Sequence, residues 1–445
     1  MNNKIIYLLF AFCLLSCDGE EIILPTENCE IGEIDKKVIL IFVDDLGIDD
    51  TQLFNQNGVH LPNIEALQKD GVSFTNAYIA SSICSPSRAA LLTGQYPQRF
   101  GFENNAHSND PIQGVPTSVQ LISERFKEHG YYNGIIGKWH LGEAQIHNPL
   151  SRGFHYFLGH LKGTLTYASN PNELICGSLQ TANQFELFED QTLLSDYEYS
   201  TDLFTDQSVQ FIENNGSRDF FLYLSYNSPH TPLQTTSKYY DQIDNNVNRD
   251  QKIYYSMIKA IDEGVGRIVK KLKEKQIYEK TTVVFLSDNG CNRRLGYCNE
   301  INALRDGKAS LYEGGIRTSL VFKSNKFNDK GIKYNGIVSS LDIAATLFDV
   351  NCPDTEIPEF SGLNLSEYVN ENKSTHRALF WRLNGSKAIL HEGFKWIENE
   401  NGEELYELQD DAFEEYNLLE EEQEIKRNLR EKYSLWEDKV IKAKW

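Results

Sequence analysis

The sequence predicts an α/β sandwich with a large, mostly parallel central sheet flanked by helices. A smaller C-terminal α+β domain follows, with a short antiparallel sheet and one helix. Three observations support this. Aliphatic runs such as VILIFV and VVFL indicate strands buried on both faces. Helical patterns that end in glycine or lysine separate these runs, as crossover helices do in parallel sheets. Beyond residue 375 the strand patterns become short and closely spaced, which is typical of antiparallel hairpins.

The predicted elements of the first domain alternate along the chain. Strands are expected at 36–45, 72–79, 132–137, 218–226 and 281–289, and helices at 63–71, 118–130 and 258–275. Proline, asparagine and serine accumulate at 351–375, which predicts a boundary between domains at 34–352 and 353–445. The last predicted helix has one apolar stripe, formed by Ile425, Leu429, Tyr433, Trp436 and Val440.

The charge balance excludes one class of partner. The 445 residues include 43 Lys and Arg against 64 Asp and Glu, a net charge of -21. Nucleic acid is therefore not expected as a partner, because a phosphate backbone needs a basic face. An anionic small substrate stays compatible with this charge, since a few cations gathered in a pocket outweigh distant carboxylates.

The N-terminus predicts export. Lys4 precedes the apolar run Ile5–Leu15, and LLSC resembles the lipobox of bacterial lipoproteins. We expect a signal peptide at 1–16, lipidation of Cys17 and a tether at 17–33. The protein would then be an exported lipoprotein of the outer membrane, cell surface or periplasm, with only its lipid in the membrane. Ordinary secretion with cleavage nearby is the alternative.

Cysteine usage allows disulfides without specifying them. Six cysteines remain after Cys17, and Cys291 and Cys298 are close enough in sequence to pair. The sequence leaves the connectivity open. No Cys or His spacing suggests a zinc site.

Oxygen ligands follow two of the predicted strands. Asp44 and Asp45 come after ILIFV, and Asp288 and Asn289 come after VVFLS. Ligands of open α/β sheets bind at the carboxyl edge, where these side chains would meet. Carboxylate and amide oxygens suit Ca²⁺, with Mg²⁺ the less favoured ion. The alternative is that both pairs are simply turn residues.

Cys84 lies where a predicted helix begins. Pro86 suits a first helical turn, Gly94 ends the helix, and Arg88 lies one turn after the cysteine. The partial positive charge of a helix N-terminus stabilises anions. Four serines surround Cys84 in the sequence, which favours a reactive cysteine over a packed one.

Four more cationic or titratable residues lie at strand ends or in the loops beyond them. Lys138 and His140 end a strand and would share one face by two-residue alternation. His230 lies between two prolines, and Lys308 lies in a glycine-containing loop. Singly, each is more often structural or solvated. Together with a cation and Cys84, they suit an ester of an oxyanion, sulfate or phosphate.

These motifs resemble the formylglycine-dependent sulfatases of the alkaline-phosphatase superfamily. CSPSRAALLTG matches that family's cysteine signature, and FVDDLG, GKWHLG, SPHTPL, FLSDNG and GKASLYEGGIR follow in the family's order. With the lipobox, the chain is similar to polysaccharide-degrading lipoprotein sulfatases of Bacteroidetes. The resemblance implies an alkaline-phosphatase-like sandwich. It also implies that a formylglycine-generating or sulfatase-maturing enzyme oxidises Cys84 to an aldehyde. Ser319 departs from the family, which often has proline there.

The resemblance also implies a role for each site residue. Asp44, Asp45, Asp288, Asn289 and modified Cys84 would hold Ca²⁺, and Arg88 would support the modified side chain. One hydroxyl of the hydrated aldehyde would attack sulfur, with Asp288 accepting its proton. Lys138, His230 and Lys308 would bind sulfate, His230 would protonate the leaving alcohol, and His140 would take the proton of the second hydroxyl as sulfate leaves.

The expected function is hydrolysis of sulfate esters on sulfated carbohydrate, a polysaccharide or its oligosaccharides. The segments 102–117 and 158–177 are expected to contact sugar because of their placement. A formylglycine-dependent phosphonate or phosphodiester hydrolase is one alternative. A non-catalytic glycan-binding lipoprotein is another, although it would be expected to lack Cys84 or the metal ligands.

Overall fold

A ten-stranded mixed sheet forms the centre of the molecule. The computed structural model describes residues 36–178, 186–352 and 359–445. The predicted signal peptide, the tether and Cys17 lie outside the described residues. The strand order is β12-β2-β11-β10-β1-β8-β3-β4-β6-β7, and a second sheet has the order β13-β14-β15-β16.

The elements have the following bounds. The strands are β1 (Lys37–Val43), β2 (Val72–Tyr78), β3 (Tyr132–Lys138), β4 (Tyr156–His160), β5 (Ile175–Cys176), β6 (Leu187–Glu189), β7 (Thr192–Leu194), β8 (Phe220–Ser225), β9 (Gln234–Thr235), β10 (Thr281–Ser287), β11 (Arg317–Lys323), β12 (Ile332–Ser339), β13 (Ala378–Leu383), β14 (Ser386–His391), β15 (Phe394–Asn399) and β16 (Gly402–Glu407). The α-helices are α1 (Pro62–Asp70), α2 (Cys84–Thr93), α3 (Ile122–Glu128), α4 (Ser200–Asn215), α5 (Ser237–Tyr240), α6 (Arg249–Glu274), α7 (Glu313–Ile316), α8 (Leu341–Asn351), α9 (Leu365–Asn370) and α10 (Gln423–Glu437).

The central strands are parallel and end at one edge of the sheet. β1 pairs in parallel with β10 and β8, and β3 pairs in parallel with β8 and β4. Val43 lies opposite Ser287 at the ends of β1 and β10. Asp44 and Asp288, the next residues of these strands, therefore leave the sheet side by side.

Both faces of the sheet are covered, as the aliphatic runs predict. Ile39, Ile41 and Val43 pack into a core that includes residues of α1, α4 and α6. Val38, Leu40 and Phe42 alternate with them and pack toward α2, α3 and α8. Because β1 is buried on both sides, its side chains are apolar at every position from Val38 to Val43.

The C-terminal sheet packs against α10 and against residues of α2 and α8. Leu429, Tyr433 and Trp436 of the predicted stripe are buried, and they cluster with Tyr96. Ile425 and Val440 are partly buried in the same cluster, and Val440 lies beyond the end of the helix. The described residues form one compact unit. The predicted domain boundary at 352/353 lies where the described range 186–352 ends, so it stays a prediction.

Two predicted helices have different bounds in the structure. The helix expected at 118–130 is limited to Ile122–Glu128, because Leu121 is extended and donates its backbone N–H to the Glu124 carboxylate at 2.8 Å. The helix expected at 258–275 begins at Arg249, where the Asn248 side chain caps it by accepting from the Gln251 backbone N–H at 2.9 Å. In both cases a side-chain cap determines the start.

Cys291 and Cys298 form a disulfide, the pairing that their sequence spacing allowed. Cys84 and Cys176 carry no disulfide within the described ranges. None of the helices in the described ranges has the length and apolarity needed to cross a membrane.

Gly137 makes a close backbone approach near the carboxyl edge. Its φ is +109°, and a Cβ there would lie 1.9 Å from the Ser225 carbonyl oxygen. We expect Gly137→Ala to lower the free energy of unfolding by about 1–2 kcal/mol because of the positive φ. Overpacking against Ser225 should lower it by about 1–3 kcal/mol more. Urea unfolding would measure this loss.

Gly130 provides the matched control for this substitution. Its φ is +82°, but a Cβ there meets nothing within 4 Å. Gly130→Ala should therefore lower the free energy of unfolding only by the amount that the positive φ costs. Equal losses for Gly137→Ala and Gly130→Ala would show that the contact with Ser225 contributes nothing.

Candidate active site

The predicted carboxylates meet at the carboxyl edge of the sheet. Asp44, Asp45, Asp288 and Asn289 are buried at 0–1% exposure. The Asp45 backbone N–H donates to the Asp288 carboxylate at 3.1 Å, and the Asn289 amide donates to the Asp45 carboxylate at 2.6 Å. Asp45 has a φ of 63°, so the chain turns sharply after β1 and brings both of its aspartates to the site.

Arg88 holds the two strands together through their carboxylates. Its guanidinium is fully buried and donates to the Asp288 carboxylate at 2.7 Å and to the Ser225 hydroxyl at 2.6 Å. It also lies 3.6 Å from the Asp44 carboxylate and packs over the Phe42 ring. Because α2 begins at Cys84, the residue one turn later reaches under the cysteine to the strand ends.

Two lysines pair with the β1 aspartates. The Lys138 ammonium donates to the Asp44 carboxylate at 2.6 Å, and the Lys308 ammonium lies 2.7 Å from the Asp45 carboxylate. Burial alone would raise the pKa of Asp44, but Lys138, His230 and Arg88 outweigh it and lower the pKa to about 2. Asp44 is therefore a carboxylate under all ordinary conditions.

Cys84 lies among these groups with its thiol protonated. The Lys308 ammonium donates to its sulfur at 3.2 Å, and the thiol donates to the Asp44 carboxylate at 3.5 Å. Burial raises the pKa of the Cys84 thiol to about 12, despite the opposing effect of Lys138 and Lys308. The unmodified side chain is thus a poor nucleophile at neutral pH, because the thiolate is the reactive form.

The histidines differ in how their rings are held. His230 Nδ1 lies 2.6 Å from the Thr231 carbonyl oxygen, so Nδ1 carries a proton and Nε2 faces the Asp45 carboxylate at 3.6 Å. Neither ring nitrogen of His140 has a hydrogen-bond partner in the described part of the chain. Burial, and then Lys138 and Arg88, lower the pKa of His140 well below its usual value, so its ring is neutral.

The prediction that strand alternation places Lys138 and His140 on one face is wrong. β3 ends at Lys138, and His140 has a φ of 57°, so strand alternation does not continue to His140. Lys138 points to Asp44, whereas His140 reaches the pocket beside Cys84 through this left-handed turn. Both residues lie at the site, but the left-handed turn at His140, and not strand alternation, brings His140 there.

The donor set fits a hard cation. Asp44, Asp45, Cys84 and His230 each offer a ligand atom, and these atoms lie within 4.8 Å of one another. The Asn289 side-chain oxygen is buried and lacks a hydrogen-bond partner among the described residues. A buried carbonyl oxygen without a donor is what a bound cation would satisfy. Oxygen ligands of this kind suit Ca²⁺ or Mg²⁺.

A pocket of about 350 Å³ opens above Cys84 and contains residues that sequence reasoning had not singled out. Its walls are Cys84, Asn105, Ala106, His107, His140, Glu143, Lys162, Gly163, Thr164, His230 and Lys308. Asn105 to His107 belong to the expected sugar-contacting segment 102–117, and Lys162 to Thr164 belong to 158–177. Glu143 had no sequence signal except its position three residues after His140.

The comparisons with known proteins agree with this geometry. The family model described as Sulfatase matches residues 36–351, which include the whole candidate site. The chain belongs to the sulfatase family. The sulfatase-like sandwich predicted for it is confirmed by the solved structure of Ps i-CgsB. That protein is 30% identical, with a TM-score of 0.85, over 93% of this chain and 95% of the other. Ps i-CgsB has also been solved in complex with k-i-k-neocarrahexaose.

Two sulfatase relatives match over shorter parts of their own length. Uncharacterized sulfatase YdeN of Escherichia coli (strain K12) is 29% identical over 76% of this chain and 62% of the relative. An arylsulfatase of Hemicentrotus pulcherrimus is 31% identical over 77% of this chain and 64% of the relative. The match to each relative therefore spans less than two thirds of its length.

Proposed function

We propose that this sulfatase-family protein hydrolyses sulfate esters on sulfated carbohydrate and releases inorganic sulfate. The observation that carries this proposal is the position of Cys84. It lies at the start of α2, within 3.2–3.5 Å of a lysine and a carboxylate, at the base of an open pocket. A nucleophile precursor, a cation site and anion-binding groups thus share one small volume.

The charges of the site support an anionic substrate. The carboxylates of Asp44, Asp45 and Asp288 are matched by the buried cations Arg88 and Lys138 and by Lys308, whose side chain is 13% exposed. A divalent cation would leave an excess of positive charge beside Cys84. We infer that Lys138, Lys308 and His230 bind the sulfate oxygens, because buried cations interact strongly with an anion in a site of low dielectric.

Two histidines suit the proton transfers. His230 keeps Nδ1 on the Thr231 carbonyl, so a proton for the leaving alcohol would come from Nε2. The Asp45 carboxylate, 3.6 Å away, stabilises that protonated ring. His140 is neutral and its ring nitrogens are free of partners within the described ranges, so it suits a base. Asp288 has a pKa raised by burial and by Asp44, which favours its accepting a proton.

Two groups are proposed to complete the site. Formylglycine made from Cys84 by a maturing enzyme would supply, when hydrated, one hydroxyl to attack sulfur and a second on the same carbon, whose loss of a proton would re-form the aldehyde and expel the sulfate carried by the first oxygen. Calcium held by Asp44, Asp45, Asp288 and Asn289 would supply positive charge that lowers the pKa of the attacking hydroxyl.

A carbohydrate substrate and export from the cytoplasm are proposed together. Ps i-CgsB binds k-i-k-neocarrahexaose, and its similarity to this chain supports a sulfated oligosaccharide or polysaccharide as substrate. Residues 1–33 support export as a lipoprotein of the outer membrane, cell surface or periplasm, where large anionic glycans are met. No nucleic acid partner is proposed.

Sulfate release measures the proposed function. Protein produced together with a sulfatase-maturing enzyme should release sulfate from 4-nitrophenyl sulfate at least about 100-fold faster, by kcat/KM, than it cleaves bis(4-nitrophenyl) phosphate. Lys308→Met should reduce sulfate release by about 10²–10³-fold, because an oxyanion-stabilising group is lost. The reverse preference would support the phosphodiesterase alternative, and no turnover of either ester by matured protein would support a glycan-binding lipoprotein.

A further inference from the structure

A second cavity of about 400 Å³ adjoins the active-site pocket and shares Asn105 and His107 with it. We propose that this flanking cavity binds an unsulfated sugar residue next to the sulfated one, an inference that rests on the proposed function. Its remaining wall residues are Ile83, Asn104, Gln113, Asn384 and Trp445. Sulfated oligosaccharides, rather than sulfated monosaccharides, would then be the preferred substrates.

The two cavities differ in charge. The active-site pocket has Lys162, Lys308 and Glu143 in its walls. The flanking cavity has no lysine, arginine, aspartate or glutamate among its lining residues, and His107 on the shared wall is its sole titratable side chain. A sulfate group placed there would lack a lysine or arginine partner, which is costly for a desolvated charge. The occupant is therefore expected to be neutral.

The lining chemistry fits the hydroxyls and ring of a sugar. Amide side chains both donate and accept hydrogen bonds, as hydroxyl groups do, and four such side chains line the cavity: Asn104, Asn105, Gln113 and Asn384. Ile83 and the Trp445 ring supply apolar surface for the C–H groups of a sugar ring. This mixture binds a neutral polar ring and offers little to an anion.

The Asn384 wall is a preformed turn. Asn384 and Gly385 have φ values of 49° and 85°, as a type I′ turn requires, and they join β13 to β14. Two residues earlier, Arg382 donates to the Glu103 carboxylate at 2.6 and 2.9 Å. The hairpin is therefore tied to the segment that carries Asn104, so little order has to be gained on binding.

The Trp445 wall is tied to the same segment. The backbone N–H of Lys444 donates to the Gly101 carbonyl at 3.0 Å, and the Asn104 amide donates to the Trp445 carbonyl. The Trp445 ring meets the Phe102 ring edge-on, with centroids 5.1 Å apart. The position of this wall relative to the pocket is thus determined by backbone and ring contacts.

The shared wall links the flanking cavity to the reacting centre. The Asn105 side-chain oxygen accepts from the backbone N–H of Ser85, the residue after Cys84, at 3.0 Å. The Ser85 hydroxyl accepts from the Ala106 backbone N–H at 3.2 Å. A sugar in the flanking cavity is therefore held at a defined distance from Cys84, as a neighbouring residue of one glycan chain would be.

The experiment compares kcat/KM for k-i-k-neocarrahexaose, other sulfated oligosaccharides, sulfated monosaccharides and 4-nitrophenyl sulfate. Asn384→Gly removes the amide and keeps the left-handed turn, and Trp445→Ala removes the ring. We expect each variant to lower the ratio of kcat/KM for the best oligosaccharide to that for 4-nitrophenyl sulfate at least about tenfold. Asn372→Gly is the matched control, because Asn372 also has a positive φ (48°) but lies in neither cavity. It should leave this ratio unchanged.

The outcomes separate the two proposals. We also expect at least about a tenfold preference for oligosaccharides whose sugar next to the reacting residue is unsulfated. Unchanged ratios in both variants would overturn the flanking subsite. A preference for a sulfated neighbour, or equal turnover of sulfated monosaccharides and oligosaccharides, would do so as well. Turnover of 4-nitrophenyl sulfate without turnover of any oligosaccharide would also overturn it. Loss of all sulfate release from matured wild-type protein would instead overturn the proposed function.

Discussion

Cys84→Ser should lower sulfatase turnover by at least roughly a thousandfold, even when a maturing enzyme is present. Burial raises the pKa of the Cys84 thiol to about 12, so the native thiol is not the nucleophile at neutral pH. Activity then depends on oxidation of this side chain. A serine could be sulfated once but has no second hydroxyl on the same carbon whose loss of a proton could expel the sulfate.

Mass spectrometry and kinetics of the same preparations check this result. The wild-type peptide that contains Cys84 should have the mass of the aldehyde, and the serine variant should show at most one sulfate per protein molecule. Cys176→Ser is the control, because Cys176 carries no disulfide, does not line the pocket above Cys84, and directs its thiol to the Pro171 and Leu174 carbonyl oxygens. Full activity of wild-type protein whose Cys84 is entirely unmodified would contradict the proposed nucleophile.

Arg88→Met should lower the free energy of unfolding in calcium-free buffer by about 3–5 kcal/mol. The substitution leaves Asp44 and Asp288 buried at 0% exposure without the guanidinium that pairs with them. Calcium binding to the folded state should stabilise both proteins, and it should stabilise the variant more, because the ion replaces the positive charge that Asp44 and Asp288 have lost. Calcium should therefore narrow the difference in the free energy of unfolding between variant and wild type. Urea unfolding with and without calcium measures both effects.

An exposed ion pair gives the control for Arg88. Arg267 pairs with Asp206, and their side chains are 38% and 55% exposed. Arg267→Met should change the free energy of unfolding by no more than about 1 kcal/mol, with no dependence on calcium. An Arg88→Met loss that is the same in calcium and in chelator would contradict a calcium site at these carboxylates.

Much of the fold and of the candidate site was predictable because the relevant signals are local. Continuous aliphatic runs identify β1 and β10, and the polar residues after them mark the carboxyl edge where Asp44 and Asp288 meet. Pro86 and Gly94 frame α2, and Gly94 does adopt the left-handed cap, with a φ of 64°. Positions at strand ends and in the loops beyond them pointed to the cations and histidines of the site, and the family resemblance then implied their roles.

The long-range contacts were not predictable from periodicity. Local spacing does not reveal that Arg88 reaches Asp288, 200 residues away, or that Lys308 lies 3.2 Å from the Cys84 sulfur. The boundaries of α3 and α6 also escaped prediction, because side-chain caps decide them. His140 reaches the pocket through a left-handed turn that its sequence pattern does not announce.

The layered α/β core, the order of the site residues along the chain and the family to which the chain belongs follow from the amino-acid sequence alone. These features depend on residue types and on spacings between residues that are close together in the chain. The pairing of each cation with its carboxylate became visible only in the packed structure. The same is true of the neutral cavity that Asn384 and Trp445 form beside the charged pocket. Those relations depend on distances between residues that are far apart in the chain, and such distances exist only once the sheet and the C-terminal hairpin have packed together.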